Sequence, residues 1–200
     1  MYLGKDLLKK QDVIVKVNAK KDMNDHEFEV MKEISGTKGF PIVYDSGVYT
    51  NQPYIIQNKL GLNLNDLLKR NKKHFSLKCV VSIGISLLGL LEKLHGFGYI
   101  HCDIKPDNIM IGNYKEDMKN MNQIYLIDFG ISSKYMDDDG NHIKLEEDVK
   151  FKGNIVFSSK NAFIGKTLSR RDDIISLMYL MIYLIDSKLR WLDSCVSADD

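Results

Sequence analysis

The character of the sequence changes near Gly61, and this change constrains the fold more than any other feature. Before Gly61, short β-branched and aromatic runs predict strands around one helix, whereas after it long apolar stretches at helical spacing predominate. The length, 200 residues, suffices for one sizeable core or two small lobes. We therefore predict an α+β protein with a small strand-rich lobe over residues 1–60, a larger helical lobe over residues 61–200, and a ligand cleft between them.

Three strands and one helix are predicted in the first sixty residues. The β-branched run Val13–Val17 predicts a strand, as do Ile42–Tyr49 and Tyr54–Gln57, with a turn at Asn51–Pro53 between the last two. Apolar residues recur at helical spacing within Glu27–Ile34. The first lobe is thus expected to consist of strands around a single helix.

The second lobe is expected to contain two long helices and a buried strand. Ser76 is the predicted N-cap of a helix with an apolar stripe over Val80–Leu94, which the glycines at 96 and 98 end. The run Ile124–Ile127 predicts a buried strand. Asp172–Ile185 predicts a helix that is apolar on most faces, which places it at the centre of a core.

Composition and charge argue against several classes of protein. The 28 Lys and Arg residues balance 27 Asp and Glu, so neither a nucleic acid nor a membrane partner is expected. The longest nearly apolar run, Ile174–Ile185, is shorter than the roughly 18 residues of a membrane span. No apolar signal core is present in the first ten residues. The spacing of Cys79, Cys102 and Cys195 favours a reducing compartment, which predicts a cytoplasmic protein with access to the nucleus.

The strongest chemical signal comes from the run His101–Asn108, here called the 101–108 loop, and from the triplet Asp128–Gly130 that follows it. Phosphoryl transfer needs positioning and charge neutralisation more than covalent chemistry from the protein. The carboxylate of Asp103 is suited to accept the proton of an attacking hydroxyl, and Lys105 to neutralise a moving phosphoryl group. A polar loop between two buried elements would explain either segment alone, but the order and spacing of the two favour phosphoryl transfer.

Two side chains in these segments offer oxygen ligands for a hard cation. Asn108 and Asp128 carry amide and carboxylate oxygens of the kind that Mg²⁺ prefers, and Gly130 lets the backbone turn after the second of them. The letters HCDIKPDN resemble the HRDxKxxN catalytic loop of protein kinases, and the DFG triplet is intact. This resemblance implies ATP as the phosphoryl donor, with Mg²⁺ as its cofactor.

Later segments narrow the resemblance to the casein kinase 1 group of the protein kinases. Ser159–Asn161 is similar to the group's Ser-Ile-Asn, Ser169–Asp173 is close to its SRRDD, and Ile131–Tyr135 resembles its stretch after DFG. Trp191 fits the tryptophan that closes this region. The resemblance covers nearly the whole chain and implies a two-lobed serine/threonine protein kinase, in which Asp173 holds the backbone of the catalytic loop.

The resemblance also implies which residues bind the nucleotide. Lys16 takes the place of the lysine that holds the α- and β-phosphates, and the carbonyl of Asn58 and the amide of Leu60 would bond adenine. Glu27 and Glu29 are both candidates for the carboxylate that pairs with Lys16. Only Glu27 has apolar residues three, four and seven positions later, which places it beside the buried stripe of its helix.

The sequence departs from the family's pattern in three places. Cys102 replaces an arginine that binds an activation-loop phosphate in many kinases, so activation by such a phosphate is not expected. Cys102 is either a redox-sensitive thiol or a tolerated small residue. Tyr2 already corresponds to the strand after the glycine-rich loop, which is absent, and the chain stops soon after Trp191. A truncated kinase domain is therefore expected.

The resemblance implies protein substrates that are acidic or already phosphorylated, bound through basic side chains. Five residues could form such a surface or merely a solvated basic face: Lys150, Lys152, Lys166, Arg170 and Arg171. Three functions stay open, namely an active kinase, a pseudokinase or nucleotide-binding scaffold that is inactive without the glycine-rich loop, and a fragment without a stable fold. The oligomeric state is not indicated by the sequence.

Overall fold

The computed structural model describes residues 1–18, 21–71, 74–113 and 123–192 and divides the chain into two compact units. The first unit comprises Met1–Leu62 and Met110–Gly130, and the second comprises Asn63–Ile109 and Ile131–Asp200. The first is rich in strands and the second in helices, so the predicted α+β class is confirmed. The division at Leu62 lies close to the predicted boundary, but Met110–Gly130 packs with the first unit instead of the second.

A four-stranded antiparallel sheet dominates the first unit. Its strands are β1 (Tyr2–Asp6), β2 (Gln11–Val17), β3 (Val43–Tyr49) and β4 (Gln52–Asn58), in the spatial order β1-β2-β4-β3. The turn between β3 and β4 lies at Thr50–Asn51, where both residues have positive φ, so Gln52 and Pro53 belong to β4 and not to the predicted turn. Asn tolerates this left-handed conformation better than most residues do.

The helix of the first unit, α1 (Lys21–Glu33), begins six residues before the predicted start. Its first turn is polar, so apolar periodicity did not indicate it. The buried face includes Val30 and Met31, each 1% exposed. A second, two-stranded sheet pairs β6 (Ile109–Ile111) with β7 (Ile124–Leu126), and Phe129 after β7 is fully buried with its ring 5.9 Å from that of Phe40.

The second unit is built on two long helices that pack against each other, α3 (Leu77–Gly96) and α5 (Arg170–Asp186). Its shorter elements are α2 (Leu64–Arg70), β5 (Tyr99–Ile100), a 3₁₀ turn over Pro106–Asn108, β8 (Ser133–Lys134) and α4 (Lys160–Phe163). The predicted cap of α3 is confirmed, because Ser76 Oγ accepts a hydrogen bond from Cys79 N at 3.3 Å.

One face of α5 is buried and another is exposed. Leu180 and Leu184 are fully buried, whereas Met178 and Ile182 on the other face are 58% and 50% exposed. Helix α5 carries apolar residues on most of its faces, as predicted, but only one of these faces is buried in the core of the described residues. In the part of the chain that the structure describes, no helix combines the length and apolar character needed to cross a bilayer.

Candidate active site

Three charged residues from distant parts of the sequence meet in the first unit. Lys16 Nζ, on β2, lies 2.7 Å from Glu27 Oε1 on α1 and 2.7 Å from Asp128 Oδ1 after β7. Glu27 is 2% exposed, and its Oε2 accepts a weaker bond from Asn18 Nδ2 at 3.4 Å. Glu29 is exposed, so the structure places Glu27 and not Glu29 against Lys16.

The electrostatics of this cluster keep Lys16 charged. Burial of the side chain disfavours its charge, but the negative charges of Glu27 and Asp128, together with their hydrogen bonds, outweigh that effect and raise the pKa of Lys16. The ammonium therefore stays protonated at any physiological pH. A permanent cation beside a carboxylate is an arrangement that can hold phosphate oxygens and a metal ion at the same place.

Asp128 has a backbone conformation that residues other than glycine rarely adopt. Its φ of 69° lies in the left-handed region, a conformation that costs energy for a residue other than glycine. The next residue, Phe129, is fully buried and anchors the segment. Asp128 is 36% exposed at its side chain, so the carboxylate is held by its neighbours yet open to solvent.

The segment predicted to bind adenine follows β4 directly. Asn58 ends that strand, where its N–H donates to Ile42 O at 3.0 Å, and Leu60 is buried. Gly61 then donates to Ile111 O at 2.8 Å. A Cβ at Gly61 would lie 2.7 Å from Gly112 O, so only glycine permits this close approach of the two backbones.

In the second unit, the 101–108 loop brings together Asp103, Lys105 and Asn108. Lys105 Nζ donates to Asp103 Oδ2 at 2.7 Å, and Asn108 Nδ2 donates to the same oxygen at 2.9 Å. Asn108 Nδ2 also bonds the backbone oxygen of Asp103 at 2.9 Å. Both hydrogen bonds to the carboxylate fall on Oδ2, so the arrangement fixes Asp103 through one of its two oxygens.

The backbone of this loop is held from α5 by a buried carboxylate. Asp173 Oδ2 accepts from His101 N at 2.8 Å, and Asp173 Oδ1 accepts from Cys102 N at 3.0 Å. His95 Nε2 lies 2.9 Å from Asp173 Oδ2. The predicted structural role of Asp173 is confirmed, and the bonds hold Cys102 at a φ of 67°, in the left-handed region.

A second carboxylate at the start of α5 organises the segment before it. Asp172 Oδ1 accepts from Ser159 Oγ at 2.6 Å and from Asn161 Nδ2 at 2.9 Å, while Oδ2 accepts from Ser169 N at 2.8 Å. Asp172 is 5% exposed. The two motifs Ser159–Asn161 and Ser169–Asp173 are therefore parts of one hydrogen-bonded unit around a single carboxylate.

Four of the five basic residues singled out in the sequence make contacts within the second unit. Lys166 lies 3.5 Å from Glu147 Oε1, Arg171 Nε lies 3.6 Å from Asp172 Oδ2, and Arg170 stands 4.8 Å from the centre of the Tyr135 ring. Lys152 donates to backbone and side-chain oxygens of β8 and of the residue before it, whereas Lys150 is exposed. Charge alone indicated these residues, and their partners could not be derived from spacing.

Sequence reasoning missed the roles of His95, Asp172 and Lys152. A Ser-x-x-Asp pattern at Ser169–Asp172 resembles a capping box and could have indicated the bond to Ser169 N. Neither His95 nor Lys152 carries a signal of this kind, because their partners are far away in the sequence. Cys195 lies outside the described residues.

The oxygen-bearing side chains in each unit are of the type that magnesium prefers. Asp128 offers an exposed carboxylate, and the amide oxygen of Asn108 takes no part in the bonds to Asp103. No group of three or more His, Cys, Asp or Glu residues suited to hold a metal ion occurs among the described residues. Magnesium commonly keeps several waters and takes other ligands from substrate phosphates, so a small set of oxygen ligands fits this ion.

Two comparisons with known proteins point in one direction. The family described as "Protein kinase domain" matches residues 1–194. The probable casein kinase I homolog of Encephalitozoon cuniculi is 36% identical over 168 residues, which make up 84% of this chain and 51% of the relative. The chain thus spans about half the length of this curated relative.

Proposed function

We propose that this chain, which belongs to the casein kinase 1 group of the protein kinase family, is an ATP-dependent serine/threonine protein kinase. It transfers the γ-phosphoryl group of ATP to the hydroxyl of a serine or threonine in a protein substrate. The observation that carries the proposal is the carboxylate of Asp103, which Lys105 and Asn108 hold through Oδ2 alone. The loop that bears Asp103 is in turn fixed by Asp173.

Asp103 acts as the base in this proposal. Its Oδ1 accepts the proton of the substrate hydroxyl as the oxygen attacks phosphorus, while Oδ2 stays bound to Lys105 and Asn108. Lys105, 25% exposed at its side chain, also neutralises charge that develops on the phosphoryl group in flight. A base that is oriented before the substrate arrives lowers the entropic cost of reaching the transition state.

The residues of the first unit bind the nucleotide in this proposal. Lys16, kept charged by Glu27 and Asp128, holds the α- and β-phosphates of ATP. The carbonyl of Asn58 and the amide of Leu60 bond the adenine ring. These backbone groups select a flat hydrogen-bonding ring irrespective of side-chain identity, so the family's adenine contact does not require particular residues at the two positions.

Asn108 and Asp128 would each supply an oxygen ligand to Mg²⁺ in this proposal, since both carry oxygens suited to a hard cation. When bound, the ion neutralises the negative charge of the phosphates during transfer. The contribution of the chain is to keep these oxygens in place: Asp128 is held by Lys16, and Asn108 by its bonds to Asp103. Phe129 anchors the segment that carries Asp128.

Protein segments that are acidic or already phosphorylated are the proposed substrates. Lys150 is exposed, whereas Lys166 lies beside Glu147, Arg171 beside Asp172 and Arg170 over the Tyr135 ring, so Lys150 is the basic residue proposed to attract an anionic substrate. Cysteine usage supports a cytoplasmic protein with access to the nucleus.

Transfer of radiolabelled phosphate from ATP to an acidic protein substrate tests this function. We expect wild-type activity that requires Mg²⁺ and that vanishes in Asp103→Asn, while the change Asp107→Asn in the same loop leaves most of the activity. Thermal melting with and without Mg²⁺ and ATP is measured alongside. A rise in Tm without any phosphate transfer would instead support a nucleotide-binding scaffold, and activity that survives in Asp103→Asn would reject the role of this base.

A further inference from the structure

The side chain of Lys152 points to a role that the family's pattern does not assign. Its Nζ donates to Ser132 O at 3.2 Å and to Ser133 Oγ. Ser132 is 1% exposed, and Ser133 belongs to β8, where it pairs with Ile100 of β5. Strand β5 leads directly into the 101–108 loop, so the ammonium of Lys152 is bonded to the strand beside that loop.

The residue after Lys152 brings the same segment onto the loop itself. Gly153 has a φ of 128°, and a Cβ at this position would lie 2.9 Å from the carbonyl oxygen of Cys102. Only glycine accommodates this backbone and this close approach. Residues 148–158, here called the 148–158 segment, therefore rest on the backbone of Cys102 and are tied by Lys152 to the neighbouring strand.

Cys102 contributes no positive charge to this region. Burial, together with the nearby charge of Asp173, raises the pKa of its thiol to about 12, so the thiol stays neutral. The charge of Lys152 lowers the pKa of this thiol, whereas the charges of Asp173 and Asp172 raise it. At Cys102, the positive charge that opposes these two carboxylates thus comes from the 148–158 segment and not from the residue after His101.

We propose that Lys152 is a positioning residue that fixes the 148–158 segment on the 101–108 loop and so keeps Asp103 ready for catalysis. The inference rests on the proposed function, because its main consequence is a change in the rate of phosphoryl transfer. Two oxygen acceptors already occupy the ammonium, which makes Lys152 part of the framework instead of the surface that meets an anionic substrate. The bonds are charge-assisted and partly buried, which makes them stronger than an exposed ion pair.

Three variants of the chain test the proposal kinetically. Lys152→Met should lower kcat about tenfold and leave the KM for ATP within about twofold, since the loop and not the nucleotide site is affected. Lys152→Arg keeps a permanent cation on a side chain long enough to reach the same oxygens and should recover most of the rate. Lys144→Met removes one exposed charge from the same stretch of chain and should match the wild type. A kcat of Lys152→Met equal to that of Lys144→Met would overturn the proposal.

Relocating the charge separates positioning from simple loss of stability. A cavity of about 240 Å³ is lined by Cys102, Ser133 and Lys152, which leaves room for a longer side chain at position 102. In the double variant Cys102→Arg/Lys152→Met, a guanidinium enters this cavity and should restore part of the kcat that Lys152→Met loses. A double variant no faster than Lys152→Met, although equally stable in thermal melting, would count against the proposal.

Hydrogen exchange keeps the inference testable apart from the proposed function. The amides of Ser133 and Gly153 should exchange about tenfold faster in Lys152→Met than in the wild type, whereas Lys144→Met should leave them unchanged. If the wild type transfers no phosphate, the proposed function fails, but this faster exchange would still establish the tie. If exchange is unchanged in Lys152→Met although the wild type is active, the positioning role of Lys152 is refuted while the proposed function stands.

Discussion

The carboxylate of Asp173 accepts a hydrogen bond from the backbone amide of Cys102 at 3.0 Å, although the two residues lie 71 positions apart in the sequence. The same buried carboxylate accepts from His101 N and lies 2.9 Å from His95 Nε2. The conformation of the 101–108 loop, with Cys102 at positive φ, thus depends on one side chain of α5. A single buried side chain thus connects helix α5 to the loop that carries the candidate base, Asp103.

Asp173→Ala should destabilise the second unit strongly. The substitution leaves the buried amide of His101 and the partly buried amide of Cys102 without an acceptor, and we expect a loss of about 3 kcal/mol in the free energy of unfolding, measured by urea denaturation. Asp186→Ala changes an exposed carboxylate at the other end of α5 and should alter stability by less than about 0.5 kcal/mol. Similar losses in the two variants would show that Asp173 does not hold the loop.

Glu27 and Glu29 provide a matched pair on one helix. Glu27→Gln removes the buried carboxylate that pairs with Lys16, so the KM for ATP should rise about tenfold. Glu29→Gln neutralises an exposed carboxylate two residues away and should leave the KM unchanged. Steady-state kinetics with varied ATP check both values, and an equal effect of the two substitutions would contradict the pairing.

The raised pKa of Lys16 predicts how its contribution to stability depends on pH. Because the folded state favours the charged form, the contribution is fully present below the ordinary value of 10.5 and is lost only as the pH rises through the higher folded pKa. The difference in unfolding free energy between the wild type and Lys16→Met/Glu27→Gln should thus be constant between about pH 6 and pH 9. A decline within that interval, seen in denaturation curves, would show that Lys16 already loses its proton there.

Cys102 should be chemically inert. With burial as the main cause and Asp173 as the next, the pKa of the thiol is about 12, so at pH 8 its thiolate fraction is about a thousandfold below that of an ordinary thiol. Iodoacetamide should modify the exposed Cys79 long before Cys102, as peptide mass spectrometry would report. This result would favour a tolerated small residue over a redox-sensitive one, whereas rapid labelling of Cys102 would favour the redox alternative.

Local patterns in the sequence determined the class of fold and most of its elements. The β-branched run of β2, the cap of α3 at Ser76 and the apolar periodicity of α5 follow from residues within a few positions of each other. Polar stretches were the weak point: the first turn of α1 was missed, and the turn before β4 was displaced toward Pro53. In these stretches tertiary packing, and not periodicity, decides where an element begins.

The candidate residues could also be predicted from the sequence, since Asp103, Lys105 and Asn108 lie in one short motif and Asp128 in another. What only the tertiary structure decided is which charges meet. Glu27 instead of Glu29 pairs with Lys16. Asp172 connects the motif Ser159–Asn161 to the start of α5. The side chain of Lys152 bonds to β8 and the residue before it. Side chains far apart along the chain become neighbours only when packed elements bring them together. A charge buried in this way requires a partner, and the spacing of residues in the sequence does not identify that partner.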